Sequence, residues 1–243
     1  MNNYKVIIEY DGTNYHGFAK QELKPTIQET LEECLSKILK ENININGSGR
    51  TDAKVHALGQ VINFNTDREI SEYGLIKALN SNLPSDIVAV NVEKVNENFH
   101  ARFSAKRKTY MYIINYKKMC AFSRNYECFC KYKLDIEKMK SAIKLFEGKH
   151  DFKSYMSTGS AIRDTVRTIF TTNIYEKNDR VYIEFTGDGF LYNQVRIMVG
   201  TLIEIGRGKI ENDIILKSFK EYNRNQLGKT ASPQGLYLKN VEY

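Results

Sequence analysis

Twice along this chain a run of aromatic and β-branched residues gives way to a stretch of helical period. The first run is Tyr4-Lys5-Val6-Ile7-Ile8-Glu9-Tyr10, and the second is Thr109-Tyr110-Met111-Tyr112-Ile113-Ile114-Asn115. Strand and helix bury their apolar residues at different spacings, so a switch of period restricts the fold more than composition does. After the first run comes a turn, Asp11-Gly12-Thr13-Asn14, and then a helix opening at Thr26. Thr26 and Glu29 have capping-box spacing, directly after Pro25. Ile27, Leu31, Cys34, Leu35, Ile38 and Leu39 then recur on one helical face. Val55, Val61 and Phe64 indicate a further strand. A weaker helix follows around 71–79, lined by Ile70, Tyr73, Ile76 and Leu79, and Ile87–Val95 reads as a strand.

The second run begins a similar series. Asp135 can cap a helix that carries Ile136, Met139, Ile143 and Phe146 inward, with Gly148 as its stop. Residues 165–175 and 181–186 form a hairpin pattern around Lys177-Asn178-Asp179. Leu191, Val195, Met198, Val199, Leu202 and Ile203 give a helix ending near Gly206. Ile214–Tyr222 reads as another helix, and Gly235-Leu236-Tyr237-Leu238 begins a last strand. No low-complexity linker separates the halves. The expected fold is α+β, with two similar halves sharing a sheet and helices on one face.

The chain has 243 residues and a formal net charge of +7, from 36 Lys and Arg against 29 Asp and Glu. Such a balance suits a polyanionic partner, most commonly nucleic acid. No apolar run approaches the ~20 residues of a membrane span, and no signal-peptide core follows Met1, so a cytoplasmic protein is expected. The 16 Tyr and 12 Phe offer surfaces on which bases can stack. Cys34, Cys120, Cys128 and Cys130 lack zinc-ligand spacing and read as reduced thiols; no metal site is expected.

One stretch follows no secondary-structure period: Gly47-Ser48-Gly49-Arg50-Thr51-Asp52-Ala53-Lys54-Val55-His56-Ala57. Its glycines permit a tight turn, and a cation, a hydroxyl and a carboxylate follow in succession just before a strand. Taken alone, Gly-Ser-Gly is an ordinary turn and Arg-x-Asp an ordinary solvated pair. However, residues 49–57 resemble the catalytic signature of the TruA-type tRNA pseudouridine synthases. Further stretches carry the resemblance: Tyr10 to Phe18; Phe99 to Ala105 followed by Arg107-x-x-Tyr110-x-Tyr112; His150-Asp151-Phe152; Phe190 to Gly200; and Gly235 to Leu238. It spans nearly the whole chain. Two positions depart from the family pattern, Lys54 where a glycine is usual and Phe18 where a tryptophan is usual. If that glycine takes a positive φ, Lys54 must bear a local strain or the turn must differ.

The resemblance implies two lobes, 1–105 and 106–243, each around a sheet like that of the RNA-recognition motif, joined across a basic cleft. The first carries the catalytic aspartate and the second the active-site tyrosine and arginine. It implies isomerisation of uridine to pseudouridine in the tRNA anticodon stem-loop, positions 38–40. No cofactor is needed, because the reaction is redox-neutral and consumes nothing. Asp52 is then the catalytic carboxylate, attacking covalently or taking a proton from the sugar; both routes stay open. Arg196, on an otherwise apolar helical face, would pair with it and keep it ionised; an arginine there would otherwise snorkel to solvent. Tyr110 would stack on the target base. Arg50 would enter the space left by a flipped base, and Arg102, Lys106, Arg107 and Lys108 would line a phosphate track. His56 and His100 read as structural histidines. The resemblance also implies a homodimer. A paralogue acting on another RNA such as rRNA would keep the same motifs, and a non-catalytic RNA-binding protein would explain the charge but not the Asp52 loop.

Overall fold

A computed structural model describes residues 1–159 and 162–243. Two compact units divide the chain, one made of Met1–Lys106 with Tyr237–Tyr243, the other of Arg107–Leu236.

In the first unit the elements are β1 (Asn2–Tyr10), α1 (Ile27–Leu39), β2 (Asn46–Gly47), β3 (His56–Thr66), α2 (Glu72–Asn82) and β4 (Ile87–Val95). β1 pairs antiparallel with β4 on one side and β3 on the other, and β2 pairs with β3. Tyr4, Val6, Ile8 and Tyr10 alternate into the core. Thr26 caps α1 by accepting from the Glu29 amide (3.4 Å), and Lys40 ends it in the left-handed region (φ 56°). Ser71 caps α2 in the same way through the Gly74 amide. The buried stripe of α2 is Leu75 and Leu79, whereas Tyr73 is exposed. This differs from the helical pattern expected from the sequence, which places Tyr73 inward. An i, i+4 leucine pair is enough to cover the strands, and the tyrosine falls on the far side.

The second unit contains β5 (Arg107–Asn115), β6 (Cys128–Phe129), α3 (Ile136–Ile143), β7 (Gly148–Asp151), β8 (Val166–Lys177), β9 (Arg180–Gly187), α4 (Gln194–Gly206) and α5 (Ile214–Glu221). Its antiparallel order is β5-β9-β8-β7. The β8–β9 hairpin closes on Asn178 and Asp179, both at positive φ, as a two-residue turn of the I′ kind requires. Asp135 caps α3, and Phe146 is fully buried just beyond it.

The last strand, β10 (Leu236–Glu242), runs parallel to β3, with Tyr237 opposite His56 and Leu238 opposite Ala57. Residues 237–243 thus pack with the first unit, whereas the lobe boundary expected from the sequence runs the second lobe through residue 243. Chain order alone does not say which strand a terminal segment joins.

Candidate active site

The Gly-Arg-Thr-Asp loop links β2 to β3 and is held from beneath. Ser48 is buried; its amide donates to the Val61 carbonyl (2.8 Å) and its hydroxyl to Gln60 Oε1 (2.5 Å). The Gln60 side chain donates back to the Gly49 carbonyl (2.9 Å). Thr51 is buried with its Oγ1 2.8 Å from the Tyr10 hydroxyl. Burial pushes the Tyr10 hydroxyl pKa up, so the phenol stays neutral. Asp52 is half-buried, and its carbonyl accepts from the Val55 amide (3.2 Å), which makes a tight turn over Ala53 and Lys54.

Tyr10–Phe18 forms the wall on which this turn rests. The Phe18 amide donates to the Thr51 carbonyl (3.0 Å), and the Lys54 amide to the Tyr15 carbonyl (3.3 Å). The approach is too close for side chains. A Cβ on Gly12 would lie 2.0 Å from the Val55 carbonyl oxygen, and one on Gly17 (φ 99°) 2.6 Å from that of Thr51. Lys54 itself has φ 65°. The turn thus keeps the left-handed conformation that suits glycine, and Lys54 bears the strain.

His56 opens β3 and is 2% exposed, stacked on Tyr237 at 4.8 Å. Its Nδ1 stands 3.1 Å from the Gly12 amide and 3.2 Å from Asp11 Oδ1. These partners ask for opposite protonation at one nitrogen. The Gly12 N–H is an obligatory donor, which gives Nδ1 the acceptor's part in that bond. Histidine here is a structural brace between the wall and β3.

Residues 96–105 are pinned by two buried asparagines. Asn3 donates to the carbonyls of Asn96 (3.0 Å) and Phe99 (2.9 Å); Asn63 donates to Asn3 and accepts from the Ala101 amide (2.8 Å). The Tyr243 hydroxyl adds a bond to the Ala101 carbonyl (2.8 Å). The segment then presents Arg102, exposed, with its guanidinium 5.6 Å from the Phe103 ring. His100 Nδ1 accepts from the Arg102 amide (3.1 Å), again a structural task. Arg50 and Lys106 are exposed.

In the second unit Tyr110 is nearly buried on β5, edge-on to Phe190 at 5.1 Å. Arg196, half-buried near the start of α4, donates through Nε to the Ala231 carbonyl (2.8 Å) and through Nη1 to Asn193 Oδ1 (2.6 Å). Asn193 takes φ 62° and donates to Ser157 Oγ (2.9 Å), so the acceptor that orients the guanidinium is itself oriented. Arg107 is exposed with its guanidinium 4.9 Å from the Phe170 ring, and Lys108 is half-buried. His150 stacks flat on Phe219 (4.2 Å) and bonds the Glu147 carbonyl, while Asp151 accepts from Thr165 and the Lys153 amide; these are structural contacts. All four cysteines are free thiols. No helix among the described residues is long and apolar enough to cross a membrane.

Sequence reasoning did not assign tasks to Tyr10, Gly12, Gly17, Asn3 and Asn63. Asn3 carries no local signal, since it shares its strand face with Lys5 and Glu9.

A braced, half-buried carboxylate two residues from the exposed Arg50 suits chemistry on an anionic substrate. Residues 6–104 and 142–243 match the family model described as tRNA pseudouridine synthase, and the chain belongs to that family, whose members isomerise uridine to pseudouridine. It is 46% identical over 244 residues to the tRNA pseudouridine synthase A of Thermoanaerobacter sp. strain X514, covering 100% of each chain. It is 45% identical to the protein of the same name from Exiguobacterium sp., covering 100% of this chain and 98% of that one. It is also 45% identical to a tRNA pseudouridine synthase A 2 of Clostridium perfringens, over the full length of both.

Proposed function

We infer that the protein converts uridine to pseudouridine in the anticodon stem-loop of tRNA, at positions 38–40, with Asp52 as the catalytic carboxylate. The observation that carries this reading is the full-length similarity to proteins named tRNA pseudouridine synthase A. The braced turn at Thr51–Val55 supports it, because it holds a half-buried carboxylate on rigid backbone.

The reaction breaks the N1–C1′ bond, turns the base and joins C5 to C1′; the C5 proton is lost and N1 takes up a proton. Asp52 attacks the sugar covalently or removes a proton from it. Tyr110 stacks on the base and takes part in the C5 proton's departure. Arg196 completes the catalytic set, its planar fork held by Ala231 and Asn193. A paired uridine must first leave the helix, at a cost of a few kcal/mol, and Arg50 offsets part of this by filling the vacancy. Arg102, Lys106, Arg107 and Lys108 contact phosphates, which position the RNA without reading its sequence. The protein works as a homodimer in the cytoplasm.

The test is tritium release from tRNA carrying 5-tritiated uridine. Wild type releases tritium and Asp52→Asn releases none, while tRNA binding stays within about threefold, since the phosphate contacts are untouched. Turnover of Asp52→Asn within about tenfold of wild type would remove Asp52 from its role. Release from rRNA but not from tRNA would overturn the substrate.

A further inference from the structure

Residues 116–133, between β5 and α3, lie in the interval 105–141 that separates the two stretches matched by the family model. They carry five cations, Lys117, Lys118, Arg124, Lys131 and Lys133, and one carboxylate, Glu127. The base of this loop is built as firmly as a core. Glu127 is 5% exposed and accepts from Asn115 Nδ2 (2.7 Å), Ser123 Oγ (2.6 Å) and Arg180 Nε (2.5 Å). Asn115, also buried, donates to the Lys118 carbonyl (2.6 Å) and accepts the amides of Lys117 and Lys118. β6 pairs parallel to the end of β5, and the Cys130 amide donates to the Asn115 carbonyl (2.8 Å).

The tip is of the opposite character. Phe122 is 92% exposed and Met119 68%, with Lys118 and Arg124 exposed beside them. Leaving such a ring in water forgoes the stabilisation that burial would give. Glu127 is engaged by Arg180 and Lys117 by Asp179, which leaves Lys118 and Arg124 as the cations beside Phe122. Aromatic rings interleaved with cations are a usual platform for unpaired nucleotides.

We propose that this loop is an accessory RNA-binding site of the enzyme, in which Phe122 stacks on an unpaired base of the tRNA while Lys118 and Arg124 neutralise the flanking phosphates. The proposal rests on tRNA being the substrate. Because the base of the loop is clamped, little ordering entropy is lost on binding.

The experiment compares wild type, Phe122→Ala, Phe122→Tyr and the double variant Lys118→Ser/Arg124→Ser in binding a full-length tRNA transcript over a range of salt. Phe122→Ala should bind about tenfold more weakly with an unchanged salt slope, and Phe122→Tyr should bind like wild type. The double variant should lower the salt slope by about two. All changes are at exposed positions, and thermal melts check that folding is retained. If Phe122→Ala and the double variant bind tRNA as wild type does, the loop is not an RNA site. The proposal fails equally if they alter only sedimentation, which would mark a protein-binding surface. Wild type that neither binds tRNA nor releases tritium from it would instead sink the substrate reading itself.

Discussion

The hydroxyl of Tyr10 lies 2.8 Å from Thr51 Oγ1, with both side chains buried. This bond ties the end of β1 to the residue before Asp52. The two buried hydroxyls cannot turn to water, and Gln60 also bonds the Tyr10 hydroxyl, so it is removal of the tyrosine hydroxyl that leaves its partner short of a bond. Tyr10→Phe should cost about 1 kcal/mol in urea unfolding and lower kcat several-fold, with KM for tRNA nearly unchanged. A double-mutant cycle with Thr51→Val isolates the pair: the coupling should be about 1 kcal/mol, and simple additivity would show that the bond does not support the loop.

Lys54 stands at φ 65° in the turn that follows Asp52. Lys54→Gly relieves this strain, offset in part by the entropy glycine gives the unfolded chain. The variant should be as stable as wild type or up to about 1 kcal/mol more stable. It should also bind tRNA a few-fold more weakly, with a salt slope lower by about one, if the exposed cation meets a phosphate. Lys54→Ala separates the effects, since it loses the charge and keeps the strain. A Lys54→Gly protein less stable than Lys54→Ala would contradict the strain.

Arg196 reaches two acceptors with different nitrogens, the Ala231 carbonyl with Nε and Asn193 Oδ1 with Nη1. A lysine ends in a single ammonium nitrogen and cannot present the planar fork that reaches both acceptors in this geometry. Arg196→Lys should fold almost normally and lose at least about tenfold in single-turnover rate with saturating tRNA. A rate equal to wild type would reduce Arg196 to a cation tying α4 to the Ala231 segment.

Burial pushes the Glu127 carboxyl up, but hydrogen bonds from Ser123, Asn115 and Arg180 outweigh it and hold the pKa below the ordinary carboxylate value. A carboxylate depressed in the folded state contributes stability above its unfolded pKa and loses that contribution as pH falls through the folded value. Wild-type stability should therefore drop below about pH 5, and Glu127→Gln, which cannot titrate, should drop less steeply over that window. Parallel curves would mean that other carboxylates dominate the acid limb.

Local physics writes much of this protein into its sequence. Thr26 and Ser71 sit before helices because their hydroxyls satisfy amides three residues on, and Asn178-Asp179 turns a hairpin because both tolerate positive φ. The Asp52 stretch was visible for the opposite reason, since its residue types obey no structural period and match a known signature. Only the tertiary structure decided what holds that stretch. Tyr10 reaches Thr51 across 41 residues, Asn63 reaches Ala101 across 38, and β10 returns from the far end of the chain to lie beside His56. The inward face of α2 belongs to the same class, settled by Leu75 and Leu79 against the strands. A helical or strand period records which face of an element is apolar. It does not record which distant partner meets that face, because this depends on how buried polar groups across the whole fold find one another.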